Sequence, residues 1–318
     1  MVNDHDAIAD RIGVDLGGTK IEAIRMAPDG TIRARYRIAS PQHDYAATIA
    51  AIQNLVGRLE AESPIGGPPN FIPVGIGIPG SLSKRTGRVH NANSTWLNGR
   101  DLRADVTAAL SRAVSITNDA NCFALSEATD GAGAGAATVL GVILGTGTGS
   151  GIVINGRIVD GPLGIGGEFG HNPLPWPKPD VKPELNEVPG PQCWCGRFGC
   201  LETWLSGPGL SVDHARVTGA RLSSEAIVAA ATLGNIAAKA TLDRHAGRLA
   251  RGLAHVVNIV DPDVIVLGGG LSNLAHLYEV LPDLMAVYIF SDDAVVDVRP
   301  PRWGDASGVR GAAWLAGG

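Results

Sequence analysis

Ile12-Gly13-Val14-Asp15-Leu16-Gly17-Gly18-Thr19-Lys20 closes an apolar strand with an acid, two glycines, a hydroxyl and a cation. Glycine lets backbone N–H groups approach a phosphate with no Cβ in the way, while Thr19 and Lys20 add a donor and a charge. Asp15, at the strand end beside those donors, is placed to hold Mg²⁺ through water. The pattern recurs twice, at Gly145-Thr146-Gly147-Thr148-Gly149 and at Gly268-Gly269-Gly270. None of the three matches the P-loop or the dinucleotide-binding glycine spacing. Each alone reads as an ordinary turn. Together, one in each half and one near the end, they read as a phosphate clamp.

Working outward, strands are expected at 12–16, 20–26 and 31–38, the last two alternating about the turn Pro28-Asp29-Gly30. A helix capped by Asp44 follows, with Ile49, Ile52, Val56 and Leu59 on one face. It is expected to end at Ser63-Pro64, with Gly66-Gly67-Pro68-Pro69 as a surface connection. Further strands are expected at 74–78 and 114–117, the second running into Asn118-Asp119 and a helix to about Thr129. A second unit opens near Ala136 with a strand, the Gly145–Gly149 turn and a returning strand to Ile154. A proline-rich loop then spans 161–191, and the clearest helix is 236–260, handing over through Asp261-Pro262-Asp263 to a strand at 264–267. Two units that both begin with a glycine-turned hairpin suggest a duplicated α/β domain around a cleft. The expected division is a smaller domain over 1–118 and a larger one over 119–306. The last helix, about 307–318, packs on the first domain in this reading.

Composition narrows the function. Apolar residues make up 45% and charged residues 18% of the 318 positions, which suits a globular protein and excludes a disordered tail protein. A net charge of −5 without a block of like charge makes nucleic acid and anionic membrane poor partners. The polar start, Met1 to Asp10, has no secretory h-region, and no apolar run reaches the roughly 18 residues of a membrane span. A cytoplasmic protein is expected. Three of four cysteines crowd into Cys193-Trp194-Cys195-Gly196-Arg197-Phe198-Gly199-Cys200, preceded by Gly166-Gly167-Glu168-Phe169-Gly170-His171. One imidazole and three thiolates make a closed, structural Cys₃His zinc set over a loop at 171–202. Such an ion would hold Glu168, His171 and Glu202 in place, acceptors that suit sugar hydroxyls. Cys122 reads as core. At Asn118-Asp119 one residue suffices as helix cap, leaving the other to act as an acid or base; a carboxylate near a hydroxyl is what phosphoryl transfer to an alcohol requires.

These segments together resemble the ROK family (repressors, uncharacterised reading frames and sugar kinases), from Ile12 nearly to the end. The resemblance rests on Asp-x-Gly-Gly-Thr-Lys at 15–20, Asn-Asp-Ala-Asn at 118–121 and Gly-Thr-Gly-x-Gly at 145–149. Gly-Gly-Glu-x-Gly-His at 166–171 and Cys-x-Cys-Gly-x-x-Gly-Cys-x-Glu at 193–202 complete it. It implies an actin-like ATPase (ribonuclease H-like) fold, MgATP with a hexose as substrates, and a homodimer. It further implies zinc on His171, Cys193, Cys195 and Cys200, Asp119 as general base, and Gly80, Ser81, Asn93, Asn118, Glu168, His171 and Glu202 at the sugar. In that case His171 serves zinc and sugar through its two ring nitrogens. Within the family, 91–99 and 170–176 look most like bacterial fructokinases that also accept mannose, whereas 118–128 looks equally like N-acetylglucosamine kinases. Fructose is therefore the first expectation, with mannose or glucose next and N-acetylglucosamine kinase the alternative. A sugar-sensing repressor would need a DNA-binding module ahead of Ile12, where about ten residues leave no room. An actin-like ATPase acting on proteins would have no use for the Glu168, His171 and Glu202 set.

Overall fold

The computed structural model describes residues 10–62 and 72–317. The expected helix end at Ser63-Pro64, the Gly66–Pro69 connection and the start of the chain before Asp10 lie outside the described residues. The chain forms two units. One contains the chain up to Ala134, Gly156–Gly166 and everything from Asp305; the other contains Gly135–Asn155 and Gly167–Gly304.

In the first unit, β1 (Arg11–Leu16), β2 (Lys20–Met26) and β3 (Ile32–Ala39) form an antiparallel meander. The helix α1 (Tyr45–Ala61) starts at Asp44, whose carboxylate accepts from the Ala47 N–H, and buries Ile52, Leu55, Val56 and Leu59. Strands β4 (Val74–Ile78) and β7 (Val114–Asn118) continue the sheet parallel to β1, giving the order β3-β2-β1-β4-β7. Between them lie the short hairpin β5 (Ser81–Leu82) and β6 (Val89–His90) and the helix α2 (Leu102–Leu110). Helix α3 (Asp119–Thr129) leaves the end of β7, β10 (Arg157–Ile158) lies in the second segment of this unit, and α9 (Ser307–Leu315) is its last element. Alternation holds in β3 but fails in β2, all of whose residues after Lys20 are buried. The reason is local pairing: buried Glu22 meets Arg35 and Arg37 at 2.5 Å each, and buried Arg25 meets Asp10 at 2.6 Å. Glu22 and Arg25 stand on opposite faces of the strand, and both faces are covered, with Ile21 and Ala23 in one apolar cluster and Ile24 and Met26 in another.

The second unit repeats the opening. Strands β8 (Thr138–Leu144) and β9 (Thr148–Ile154) form an antiparallel hairpin, β11 (Val264–Gly268) runs parallel to β8, and β12 (Val298–Arg299) is parallel to β11. Four helices, α4 (Glu202–Leu205), α5 (Gly207–Thr218), α6 (Ser224–Thr232) and α7 (Ile236–Val260), precede β11, and α8 (Ala275–Ala286) follows it. The stripe of α7 packs as expected through Leu242, Ala246, Leu249 and Leu253. Its buried arginines were not legible as core: Arg248 and Arg251 bind Glu187 at 2.8 Å, and Arg248 also binds Asp213 at 3.0 Å. Glu187 belongs to the proline-rich loop, so these pairs fasten that loop to α7. Among the described residues no helix is long and apolar enough to cross a membrane.

Candidate active site and metal centre

In the first unit the polar residues gather at the carboxyl ends of β1, β4 and β7, where parallel register sets Asp15 beside Gly77 and Gly77 beside Thr117. Asp15 and Asp119 thus flank one glycine-bearing strand. Burial, then the charges of Asp119 and Glu22, push the Asp15 carboxyl up to about 7 against the opposing pull of Lys20 and Arg37. The Gly17-Gly18-Thr19 turn is closed by the Gly17 N–H donating to Lys20 O at 3.0 Å, and Gln42 donates to Gly18 O. Asn118 is the helix cap: its Oδ1 accepts from the Ala120 N–H at 2.8 Å, and its amide donates to Gly80 O at 2.9 Å. Asp119 opens the helix and also accepts from the Ala120 N–H at 2.8 Å. Gly80 takes φ +73°, and a Cβ there would lie 2.5 Å from His90 O, so only glycine fits. Ser81 is buried and Asn93 exposed. Cys122 is fully buried, and burial raises its thiol well above the usual range.

In the second unit, β8 ends in Gly145-Thr146-Gly147, closed by the Gly145 N–H donating to Gly147 O at 3.0 Å. The Gly268–Gly270 turn lies against it: Gly269 takes φ +79°, and a Cβ there would come within 2.5 Å of Leu144 O. The sequence-predicted pair of glycine turns is therefore one cradle at the ends of neighbouring parallel strands, the setting in which α/β sheets present backbone donors. Beside it stands Glu202, whose Oε2 accepts from the Thr148 N–H at 3.1 Å and whose Oε1 accepts from Trp194 Nε1 at 2.7 Å. Glu168 joins this group; burial raises its carboxyl, with His171 lowering it and Glu202 raising it. Trp194 also sets its ring edge-on to His171, with centroids 5.0 Å apart. Sequence reasoning missed this tryptophan, although its place between two cysteines was the available signal.

The ligand atoms of His171, Cys193, Cys195 and Cys200 all lie within 4.8 Å of one another. Cys193 Sγ is 3.6 Å from His171 Nδ1, and Cys195 Sγ is 3.7 Å from Cys200 Sγ. Zinc bonds of about 2.3 Å to sulfur and 2.0–2.1 Å to nitrogen imply tetrahedral edges of about 3.8 and 3.6 Å. The spacing suits such an ion. Burial raises the Cys193 thiol and takes Cys200 to about 12, whereas the Arg197 N–H lowers Cys195. A bound cation would reverse the cost of charging the two buried thiols.

The profile of the ROK family matches residues 11–318. An N-acetyl-D-glucosamine kinase of Pectobacterium atrosepticum is 39% identical over 303 residues, which cover 95% of this chain and 97% of that protein. The relatives at this level carry that name in place of the fructokinase expected from 91–99 and 170–176. A ROK hexokinase from Thermus thermophilus superposes with a TM-score of 0.82 at 30% identity, covering 96% of this chain and 97% of that one. A ROK family glucokinase from Streptomyces griseus, solved with glucose and AMPPNP, gives 0.74 at 27%, covering 96% and 98%. Hairpin-led sheets in both units, strand-end carboxylates, the glycine cradle and the Cys₃His cluster thus stand on an actin-like α/β ATPase fold, and the chain belongs to the ROK family.

Proposed function

We propose that the protein transfers the γ-phosphoryl group of ATP to a hydroxyl of a hexose, with N-acetylglucosamine as the acceptor. The observation that carries the reading is Asp119 at the β7–α3 junction, one glycine-bearing strand away from Asp15. Its carboxylate takes the proton of the acceptor hydroxyl as the oxygen attacks phosphorus and the bond to the ADP oxygen breaks. Asn118 holds the helix start to the Gly80 carbonyl, so the base is fixed by backbone on both sides. The Gly17–Thr19 turn with Lys20, and the Gly145–Gly147 and Gly268–Gly270 cradle, are each read as sources of phosphate donors. Magnesium bound with ATP supplies charge neutralisation at the transferred group, and Asp15 offers the hard oxygen ligand such an ion prefers. Gly80, Ser81, Asn93, Glu168, His171 and Glu202 hold the sugar. Zinc on His171, Cys193, Cys195 and Cys200 is structural in this reading, supported by the tetrahedral spacing of the ligand atoms.

The choice of acceptor follows the names of the relatives. Fructose is the second reading, supported by the resemblance of 91–99 and 170–176 to fructokinases. A panel of hexoses with MgATP, read by ADP release and by locating the phosphate, decides between them. N-acetylglucosamine should give the highest kcat/KM; a higher value for fructose moves the protein to the second reading. ADP release that no hexose stimulates removes the kinase reading altogether.

A further inference from the structure

Helix α9 touches its neighbours backbone to backbone because glycines stand at each contact. A Cβ on Gly13 of β1 would lie 2.2 Å from Val309 O, and one on Gly75 of β4 would lie 1.9 Å from Ala312 O. A Cβ on Gly311 of α9 itself would lie 1.7 Å from Cys122 O of α3. The helix is also tied to α3 at its start, where Ser307 Oγ donates to buried Glu127 at 2.7 Å. Gly308 differs from these three. The atoms of other elements nearest to its missing side chain are not backbone. The three atoms nearest to a Cβ there all belong to the Asp15 carboxyl, with Oδ2 at 3.4 Å and Cγ at 3.6 Å. A methyl group therefore fits, and alanine would favour the helix over glycine. None of these nearest contacts requires glycine at this position.

From this geometry we infer that Gly308 is a positioning residue: it keeps open the face of the Asp15 carboxylate on which a hydrated divalent cation rests with the nucleotide. The inference depends on the kinase reading for the identity of that cation. A hydrated ion needs room for its water shell, since magnesium sheds water reluctantly. A methyl group in van der Waals contact with the carboxylate takes that room without moving the chain.

The test is calorimetric titration of ATP into the wild type and into Gly308→Ala and Gly308→Val, each with magnesium and again with excess chelator. Melting temperatures are recorded beside it. In the alanine variant, affinity for ATP with magnesium should fall about tenfold, with metal-free ATP affinity and melting temperature held at or above wild type. Valine should extend the loss to about a hundredfold. Gly311→Ala, which drives a methyl into the α3 backbone, shows what mere structural damage looks like: melting temperature and both affinities fall together. An alanine variant with wild-type affinity in magnesium, or one losing both affinities equally, overturns the inference. Failure of the wild type to phosphorylate any hexose removes the kinase reading instead and leaves the binding comparison standing.

Discussion

Individual side chains divide the chemistry so that each can be removed separately. Asp119→Asn keeps the size and the bond to the Ala120 N–H but removes the basic oxygen. Turnover should fall by about three orders of magnitude, with calorimetric sugar affinity much less affected. Retention of more than about a tenth of wild-type turnover ends the role of Asp119 as base. The glycine cradle permits a second separation. A Cβ on Gly145 meets only Ile143 at 3.9 Å, whereas one on Gly147 comes to 2.7 Å from Glu202 Oε2. Gly145→Val should therefore raise the KM for ATP in a folded protein. Gly147→Ala should push Glu202 off the Thr148 N–H and raise the KM for the sugar instead. Circular dichroism and full kinetics on both variants check this; identical effects on both substrates would mean that the cradle does not distinguish them.

The loop between β10 and α4 shows how an irregular element is held without regular hydrogen bonding. Its carboxyl-terminal part, joined by His171 from nearer its start, is gathered at the Cys₃His cluster, and the stretch just before the cysteines is held at Glu187, which binds Arg248 and Arg251 of α7. Burial raises the Glu187 carboxyl, but hydrogen bonds from Arg251, the Lys178 N–H and Arg248 outweigh it and bring the group to about 2. If zinc occupies the cluster, elemental analysis should find about one ion per chain, and Cys195→Ser should lose it with a lower melting temperature. Activity should fall indirectly, as Glu168, His171 and Glu202 lose their support. A metal-free preparation with full activity would end that account. The cysteine cluster was readable because ligand spacing is local in sequence. The glycine turns and Asn118-Asp119 were readable because strand ends and helix caps are local too. Glu187 and Arg248 are 61 residues apart, and neither has a motif. Trp194 lies inside the cysteine motif, but its role was not readable there, because it depends on the fold bringing Glu202 to the indole N–H. For the acceptor sugar, two short segments pointed to fructose, whereas relatives matched along nearly the whole chain are named N-acetyl-D-glucosamine kinases.

At the scale of the whole molecule, the two units respond to pH with opposite signs. In the first, Asp15 has its carboxyl raised to about 7 from an unfolded value near 3.8. The stability linked to such a raised group is fully present below the unfolded value and is lost as pH rises through 7. In the second, His245 is fully buried, with Nε2 3.0 Å from Leu205 O, and burial lowers its imidazole to about 4. Unfolding lets it bind a proton, so stability linked to His245 is present above about 6.5 and is lost as pH falls toward 4. Glu187, lowered to about 2, adds a loss in the same direction below about pH 4.5. Acidification from pH 7.5 to 5.5 should thus strengthen the first unit and weaken the second, each on the order of 1–2 kcal/mol. Hydrogen exchange read by mass spectrometry, without nucleotide, resolves the two because they occupy different peptides. Protection along α7 should drop at pH 5.5 relative to 7.5, after correction for intrinsic exchange rates, while protection along β1 and β4 should hold or rise. His245→Gln should flatten the response of α7 without touching that of β1, and Asp15→Asn should do the reverse. A common shift in both sets of peptides would mean that the two units open as one cooperative block and that neither group governs its own unit.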